Sequence, residues 1–213
     1  MDGSALRRRL AERLTPASDW RADAGAVRSD FDLNPDATRP ARTLRRAAVL
    51  VPVVARAEGA TVLLTRRADT LTSHTGQIAF PGGRLDPGET AVEAALREAW
   101  EEIGLAPDQV EVLGLSDAYE SKTGFLITPV VGWIATPPIL SPSPDEVADV
   151  FETPWSFLMD VANHRRDSLV HEGITRWFWA MPWEERYIWG ATAGMLKGLH
   201  DRLYSAAAAE AAA

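Results

Sequence analysis

The sequence predicts an α/β fold, an α/β/α sandwich around a mixed β-sheet, and three observations carry that expectation. Apolar, β-branched runs stand before residue 66 and again between residues 110 and 136. A short amphipathic helix lies between them, and a second amphipathic stretch, Tyr187 to Tyr204, closes the chain. At 213 residues with 46% apolar content, the chain is long enough for one substantial domain and needs no second. The expected organisation is a helix and irregular arm over 1–42, the main domain over 43–204 and a low-complexity tail over 205–213.

Taken in order, Leu6 to Leu14 (LRRRLAERL) is basic and amphipathic, and Asp2 and Glu12 favour a docking helix there over a targeting presequence. Thr15 to Ala41 has no apolar periodicity and reads as an irregular arm. Arg45 to Arg56 and Ala60 to Thr65 read as buried strands joined by a tight turn at Glu58-Gly59. The helix that follows has its ends written in side chains: Thr90 and Glu93 make a capping box, and Gly104 suits a left-handed cap, giving Ala91 to Ile103. Val92, Ala95, Leu96, Ala99 and Ile103 form its buried stripe, with Glu98, Glu101 and Glu102 largely off it. Val110 to Ala118 and Leu126 to Thr136 read as strands, and a helix is expected to begin near Asp145. Ser168 to Met181 reads as a hairpin turning at Glu172-Gly173, with Trp177, Phe178 and Trp179 as core, before the closing helix.

Composition narrows the function classes. The sequence has no cysteine, which excludes disulfides, zinc-thiolate sites and a cysteine nucleophile and is compatible with the cytoplasm. A net charge of -8 argues against nucleic-acid binding, which depends on basic neutralisation of phosphates. No apolar run reaches membrane-spanning length, so no membrane partner is expected. A homodimer is compatible with the sequence.

Residues three and four apart are neighbours on a helix, so Glu98 is adjacent to Glu101 and Glu102. Three clustered anions repel one another unless a cation compensates; the alternatives are a solvated acidic face offset by Arg97, or a hard divalent ion such as Mg²⁺ held by oxygen ligands. The wider spacing decides between them. From Gly83 there are five residues to Glu89, seven more to Arg97, and then Arg97-Glu98-Ala99-Trp100-Glu101-Glu102-Ile103-Gly104-Leu105. This resembles the Nudix box, G-x5-E-x7-R-E-U-x-E-E-x-G-U with U apolar, at every specified position. The resemblance implies a Nudix fold and a metal-dependent pyrophosphohydrolase. It implies that Glu98, Glu101 and Glu102, with the Gly83 carbonyl, hold Mg²⁺ or Mn²⁺, and that Glu89 and Arg97 form a salt bridge orienting the loop.

The segments around the box are similar to a narrower group, the coenzyme A pyrophosphatases, with Leu63, Leu64, Thr65, Arg67 and Ala68, then Gly76, Gln77, Phe80, Pro81, Gly82 and Gly83, and later the Asp145-Glu146-Val147 segment and Ile188-Trp189-Gly190 with Thr192-Ala193. Thr72 departs from that pattern, which usually has Arg there, so Arg66 is a candidate for supplying the charge. His74 is either substrate-binding or an ordinary loop residue, Gln77 binds substrate or satisfies backbone groups, and Lys122 meets a phosphate or caps a solvated loop. Phe80 is read as core. Glu146 is either an additional catalytic carboxylate or a helix-start charge. The expected partner is a small nucleotide, coenzyme A or a derivative, cut to 3′,5′-ADP and 4′-phosphopantetheine. The alternatives are another nucleoside diphosphate derivative (a dinucleotide, ADP-ribose or nucleotide sugar) and a nucleotide-binding regulator that does not hydrolyse; a regulator would be expected to have lost box carboxylates.

Overall fold

Period-two burial along the central strands sets the layers. The structure is a computed structural model and describes residues 2–68, 76–171 and 173–205. It opens with α1 (Gly3–Arg13), whose Leu6 and Leu10 are buried, and an arm carrying the two-residue strand β1 (Arg28–Ser29). Then come β2 (Arg45–Val54), β3 (Thr61–Arg67), β4 (Ile78–Ala79) and β5 (Gly82–Arg84). Helix α2 (Ala91–Ile103) is followed by β6 (Glu111–Leu115), β7 (Tyr119–Glu120), β8 (Phe125–Ile134) and β9 (Val147–Pro154). The order closes with α3 (Trp155–Leu158), β10 (Arg165–His171), β11 (Ile174–Trp183), β12 (Arg186–Trp189) and α4 (Gly190–Tyr204).

Among the described residues the larger sheet has nine strands and the smaller, β10–β11–β12, has three. The spine of the larger sheet is a parallel pair, β2 with β8, running from Arg45–Phe125 to Val54–Ile134. Strand β3 runs antiparallel to β2 on one edge and to β9 on the other, so the sheet is mixed. On one face Ala48, Leu50 and Val54 pack with Ala91, Ala95, Ala99 and Ile103 of α2. On the other, Val51 and Val53 pack with Leu10 of α1, Leu158 of α3 and Leu199 of α4. Burial of both faces is why β2 reads as an almost unbroken apolar run, and it makes the molecule an α/β/α sandwich.

Four local expectations are corrected. The segment after Asp145 is strand β9, not a helix: Val147, Phe151 and Thr153 are buried while Ala148 is exposed. One edge of β3 is shared by β2, at Thr61 and Val62, and β4, at Thr65 and Arg66; the other edge needs a partner along its whole length, and β9 supplies it from Thr61 to Arg67. Satisfying those buried backbone groups outweighs the helix-like spacing of the apolar residues. Tyr187 to Trp189 belongs to β12, paired with Ala180–Pro182, and the closing helix begins at Gly190. Glu102 is not off the buried stripe, being only 5% exposed, because β5 covers it. Trp177 is not core, being 42% exposed.

Candidate active site

The site is assembled by one helix and the strand laid beside it. Helix α2 is closed at its start by the capping box, Thr90 Oγ1 accepting from the Glu93 N–H at 3.3 Å and Glu93 Oε2 accepting from the Thr90 N–H at 2.8 Å. At its end Gly104 takes φ 68°, a left-handed cap, and donates its N–H to the Trp100 carbonyl at 2.9 Å. Glu98, Glu101 and Glu102 therefore share the last turns, where the helix dipole opposes negative charge and a cation is favoured. Strand β5 is paired to β2 through Ala48–Gly83 and Val49–Gly82, which sets Gly83 over Glu98. A Cβ at Gly83 would lie 2.5 Å from the Glu98 carboxyl carbon and 2.7 Å from Oε2, so a side chain there would push that carboxylate aside. The Gly82 N–H donates to Glu102 Oε2 at 3.2 Å.

Arg97 gathers the acidic groups on the outer side. Its Nε and Nη2 donate to the two Glu89 oxygens at 2.8 and 3.0 Å, a bidentate pair. Its Nη1 donates to Glu98 at 2.9 Å and to Glu101 at 3.1 Å, and Nη2 also donates to the Arg84 carbonyl at 3.1 Å. This fork ties the 84–89 loop to α2 and holds the Glu89 carboxyl below the usual carboxylate value. The inner carboxyls move the other way. Burial pushes Glu102 up to about 7, opposed by the Gly82 N–H and Arg67 and reinforced by the Glu98 and Glu146 charges. Burial also raises Glu98, with Arg97 opposing and Glu101 and Glu146 adding. Glu146 sits exposed in the turn leading into β9, near enough to act electrostatically on both.

Beside Glu102 and Gly82 opens a cavity of about 630 Å³. Arg67, Gln77 and Lys122 line it; Arg66, its neighbour on β3, does not. The Arg67 Nε is buried without a hydrogen-bond partner among the described residues, a donor available to an anion. Phe80 is 3% exposed, as expected of a core residue, and its edge also lines the cavity. His74 and Thr72 lie outside the described residues. Sequence reasoning missed part of the wall: Asp30, Phe31 and Asn34 of the arm, and Arg176 and Trp177 of β11. The arm carries no periodicity to flag it, and the aromatic run of β11 was indistinguishable from core.

The NUDIX domain family matches residues 44–178. The sequence is 41% identical over 168 residues to a protein of Cronobacter sakazakii named Uncharacterized Nudix hydrolase NudL, covering 78% of this chain and 87% of that one. The protein of the same name in Citrobacter koseri is 42% identical over 170 residues, with the same coverage. The chain belongs to the Nudix family. It is a Nudix pyrophosphohydrolase. Among solved structures, an Ap4A hydrolase of C. elegans is similar over 54% of this chain and 82% of its own, at 22% identity and a TM-score of 0.46.

Nudix hydrolases use divalent ions such as Mg²⁺ or Mn²⁺, and the residues here fit one. Every donor at the site is oxygen, the chemistry a hard ion requires, and the glycine cradle keeps the Gly83 main chain against Glu98. Glu98, Glu101, Glu102 and the Gly83 carbonyl would hold it. Among the described residues no three acidic or histidine side chains converge on one point, because Arg97 draws Glu98 and Glu101 to itself while Glu102 turns to Gly82. No described helix is long and apolar enough to cross a membrane.

Proposed function

We propose that this Nudix enzyme hydrolyses the pyrophosphate of coenzyme A or an acyl-coenzyme A in the cytoplasm, releasing 3′,5′-ADP and 4′-phosphopantetheine or its acyl derivative. One observation carries the reading. Of the segments similar to coenzyme A pyrophosphatases, the neighbouring pair 63–68 and 76–83 and the distant 188–193 meet at one cavity beside Glu102, which Thr65, Arg67, Gln77, Phe80, Trp189 and Thr192 all line. General pyrophosphate chemistry requires none of these six.

In the reaction a water oxygen bonds to one phosphorus, the bridging P–O bond breaks, and the second phosphate leaves with the bridging oxygen. Divalent ions, when bound, neutralise the pyrophosphate oxygens and lower the pKa of the attacking water. Glu98, Glu101, Glu102 and the Gly83 carbonyl would hold the ions, and the Glu89–Arg97 pair keeps the loop and helix in register. Arg67 directs its unpartnered Nε at a phosphate oxygen, while Gln77 and Lys122 bind the remainder of the substrate. The proton goes to Glu146, whose carboxylate forms no hydrogen bond or ion pair among the described residues, whereas Glu98 is held by Arg97 and Glu102 by Gly82. The domain at 43–204 carries this chemistry.

The test is kcat/KM for coenzyme A against ADP-ribose, NADH and a nucleotide sugar in Mg²⁺, with products identified. Coenzyme A should lead, and chelation should abolish turnover until Mg²⁺ or Mn²⁺ is restored. A clear preference for one of the others overturns the substrate while leaving the hydrolase; full activity after chelation overturns the metal.

A further inference from the structure

The arm does more than connect. The Asn34 side chain makes a paired contact with the main chain of Trp177, 143 residues away: Nδ2 donates to the Trp177 carbonyl at 2.8 Å and Oδ1 accepts its N–H at 2.9 Å. Strand β12 covers β11 only from Ala180 to Trp183, so at Trp177 the side chain of Asn34 takes the place of a neighbouring strand. Nδ2 also donates to the Asp30 carbonyl at 2.9 Å, which fixes the amide within its own turn. The Asp30 carboxylate in turn accepts from the Tyr119 hydroxyl and from the Lys122 N–H, both at 2.7 Å. Five residues of the arm therefore tie the β10–β11 hairpin and the 121–124 loop into one rim.

That rim stands at the far end of the cavity from the carboxylates. In β2, Arg45, which pairs with Phe125, lies four positions before Val49, which pairs with Gly82. At the rise of a strand this puts the two ends about 13 Å apart, well beyond the reach of a pyrophosphate alone. The far end is aromatic and basic: Phe31, Phe125 and Trp177 line it, together with Arg176 and Lys122. Neither of those two cations forms an ion pair among the described residues, although the chain carries a net charge of -8. Each ring carries an arginine over one face, Arg39 on Phe31 at 5.4 Å, Arg45 on Phe125 at 4.0 Å and Arg166 on Trp177 at 5.5 Å, so the rim is a basic, aromatic surface that suits a planar ring bearing an anion.

We propose that Asn34 is a positioning residue that clips the β10–β11 hairpin across the distal end of the pocket, so that Trp177 and Arg176 receive the part of the substrate beyond the pyrophosphate, a planar ring system carrying a further anionic group. This rests on reading the cavity as the substrate pocket.

The experiment is a double-mutant cycle in the full chain, Asn34→Ala and Arg176→Gln alone and together, with kcat, KM and melting temperature measured on coenzyme A and on dephospho-coenzyme A. Each single change should raise KM for coenzyme A about tenfold with kcat within about threefold, and the double variant should add less than about twofold, because Asn34 acts through the hairpin that carries Arg176. Arg176→Gln should also shrink the preference for coenzyme A over dephospho-coenzyme A, which differ by one phosphate. An unchanged KM in Asn34→Ala, a fully multiplicative double variant, or a lower kcat and melting temperature at constant KM overturns the positioning role. An unchanged preference overturns the anion assignment. If the wild-type enzyme prefers ADP-ribose or NADH, the substrate reading has failed and the cycle is read on that molecule instead. Asn34→Asp, which keeps the acceptor for the Trp177 N–H but sets a carboxylate against its carbonyl, gives the same KM readout if Asn34→Ala does not fold.

Discussion

Burial lifts the Glu102 carboxyl to about 7, and a metal ion must displace the proton it then holds. Apparent affinity for Mg²⁺ should therefore weaken about tenfold per pH unit as pH falls below about 7, with protons released on binding. Calorimetry in buffers of different ionisation enthalpy reads this directly, and a pH-independent affinity from 5.5 to 7 would contradict it. The same shift has a sign for stability. A carboxyl whose folded value exceeds its ordinary 4.5 stabilises the fold only while protonated, so the metal-free protein should lose stability as pH rises from 4.5 toward about 7. In Glu102→Gln that slope should shrink, leaving what Glu98 and Asp30, also raised by burial, contribute. Glu98→Gln and Glu102→Gln should each lower kcat by orders of magnitude, as loss of an ion ligand does, with circular dichroism unchanged. A variant with normal kcat and a lower melting temperature would instead mark these residues as structural. The three box glutamates were legible because their positions lie within two helical turns. Asn34 and Arg176 were not, because nothing near them in sequence marks a pocket wall.

Local geometry makes α2 the element most fully encoded by its own residues. Gly104 at φ 68° ends it where a side chain would be strained, and a Cβ there would also lie 3.0 Å from the backbone nitrogen of Ser141. Gly104→Ala should destabilise the protein by about 1–2 kcal/mol, seen as a lower urea midpoint at constant slope. A stability within error of wild type would show that the cap is dispensable. Strands β9 and β12 escaped the sequence because their conformation is decided by the partners they pair with: β3 for the first and Ala180–Trp183 for the second. Apolar spacing over so few residues fits helix and strand alike.

The first turn of α4 lines the cavity, whereas its far end serves the fold. Arg202 of α4 donates to the Arg13 carbonyl at 2.7 Å, to Asp117 at 2.7 Å and to the Thr15 hydroxyl at 2.8 Å, locking α4 to the end of α1 and to the turn after β6. Removing it in Arg202→Ala leaves the half-buried Asp117 short of a partner and should cost about 2 kcal/mol. The melting temperature should fall while kcat and KM at 25 °C stay at wild-type values. An equal loss of kcat would mean that the far layer governs the site.

Spacing alone determined that this chain carries a Nudix box on a capped helix, because side chains within one or two turns are positioned by helix geometry without help from elsewhere. The buried central strands were also readable, since strands buried on both faces must be apolar throughout, while the mixed sheet was implied by the family resemblance. Only the tertiary structure decided that Gly83 cradles Glu98, that Glu102 is buried deeply enough to hold a proton, and that the arm forms a wall of the cavity. Those features depend on strand register and on contacts between residues as far apart as Asn34 and Trp177. Register and long-range closure are fixed by the pairing of backbone groups across the whole fold, and no single stretch of sequence contains both partners.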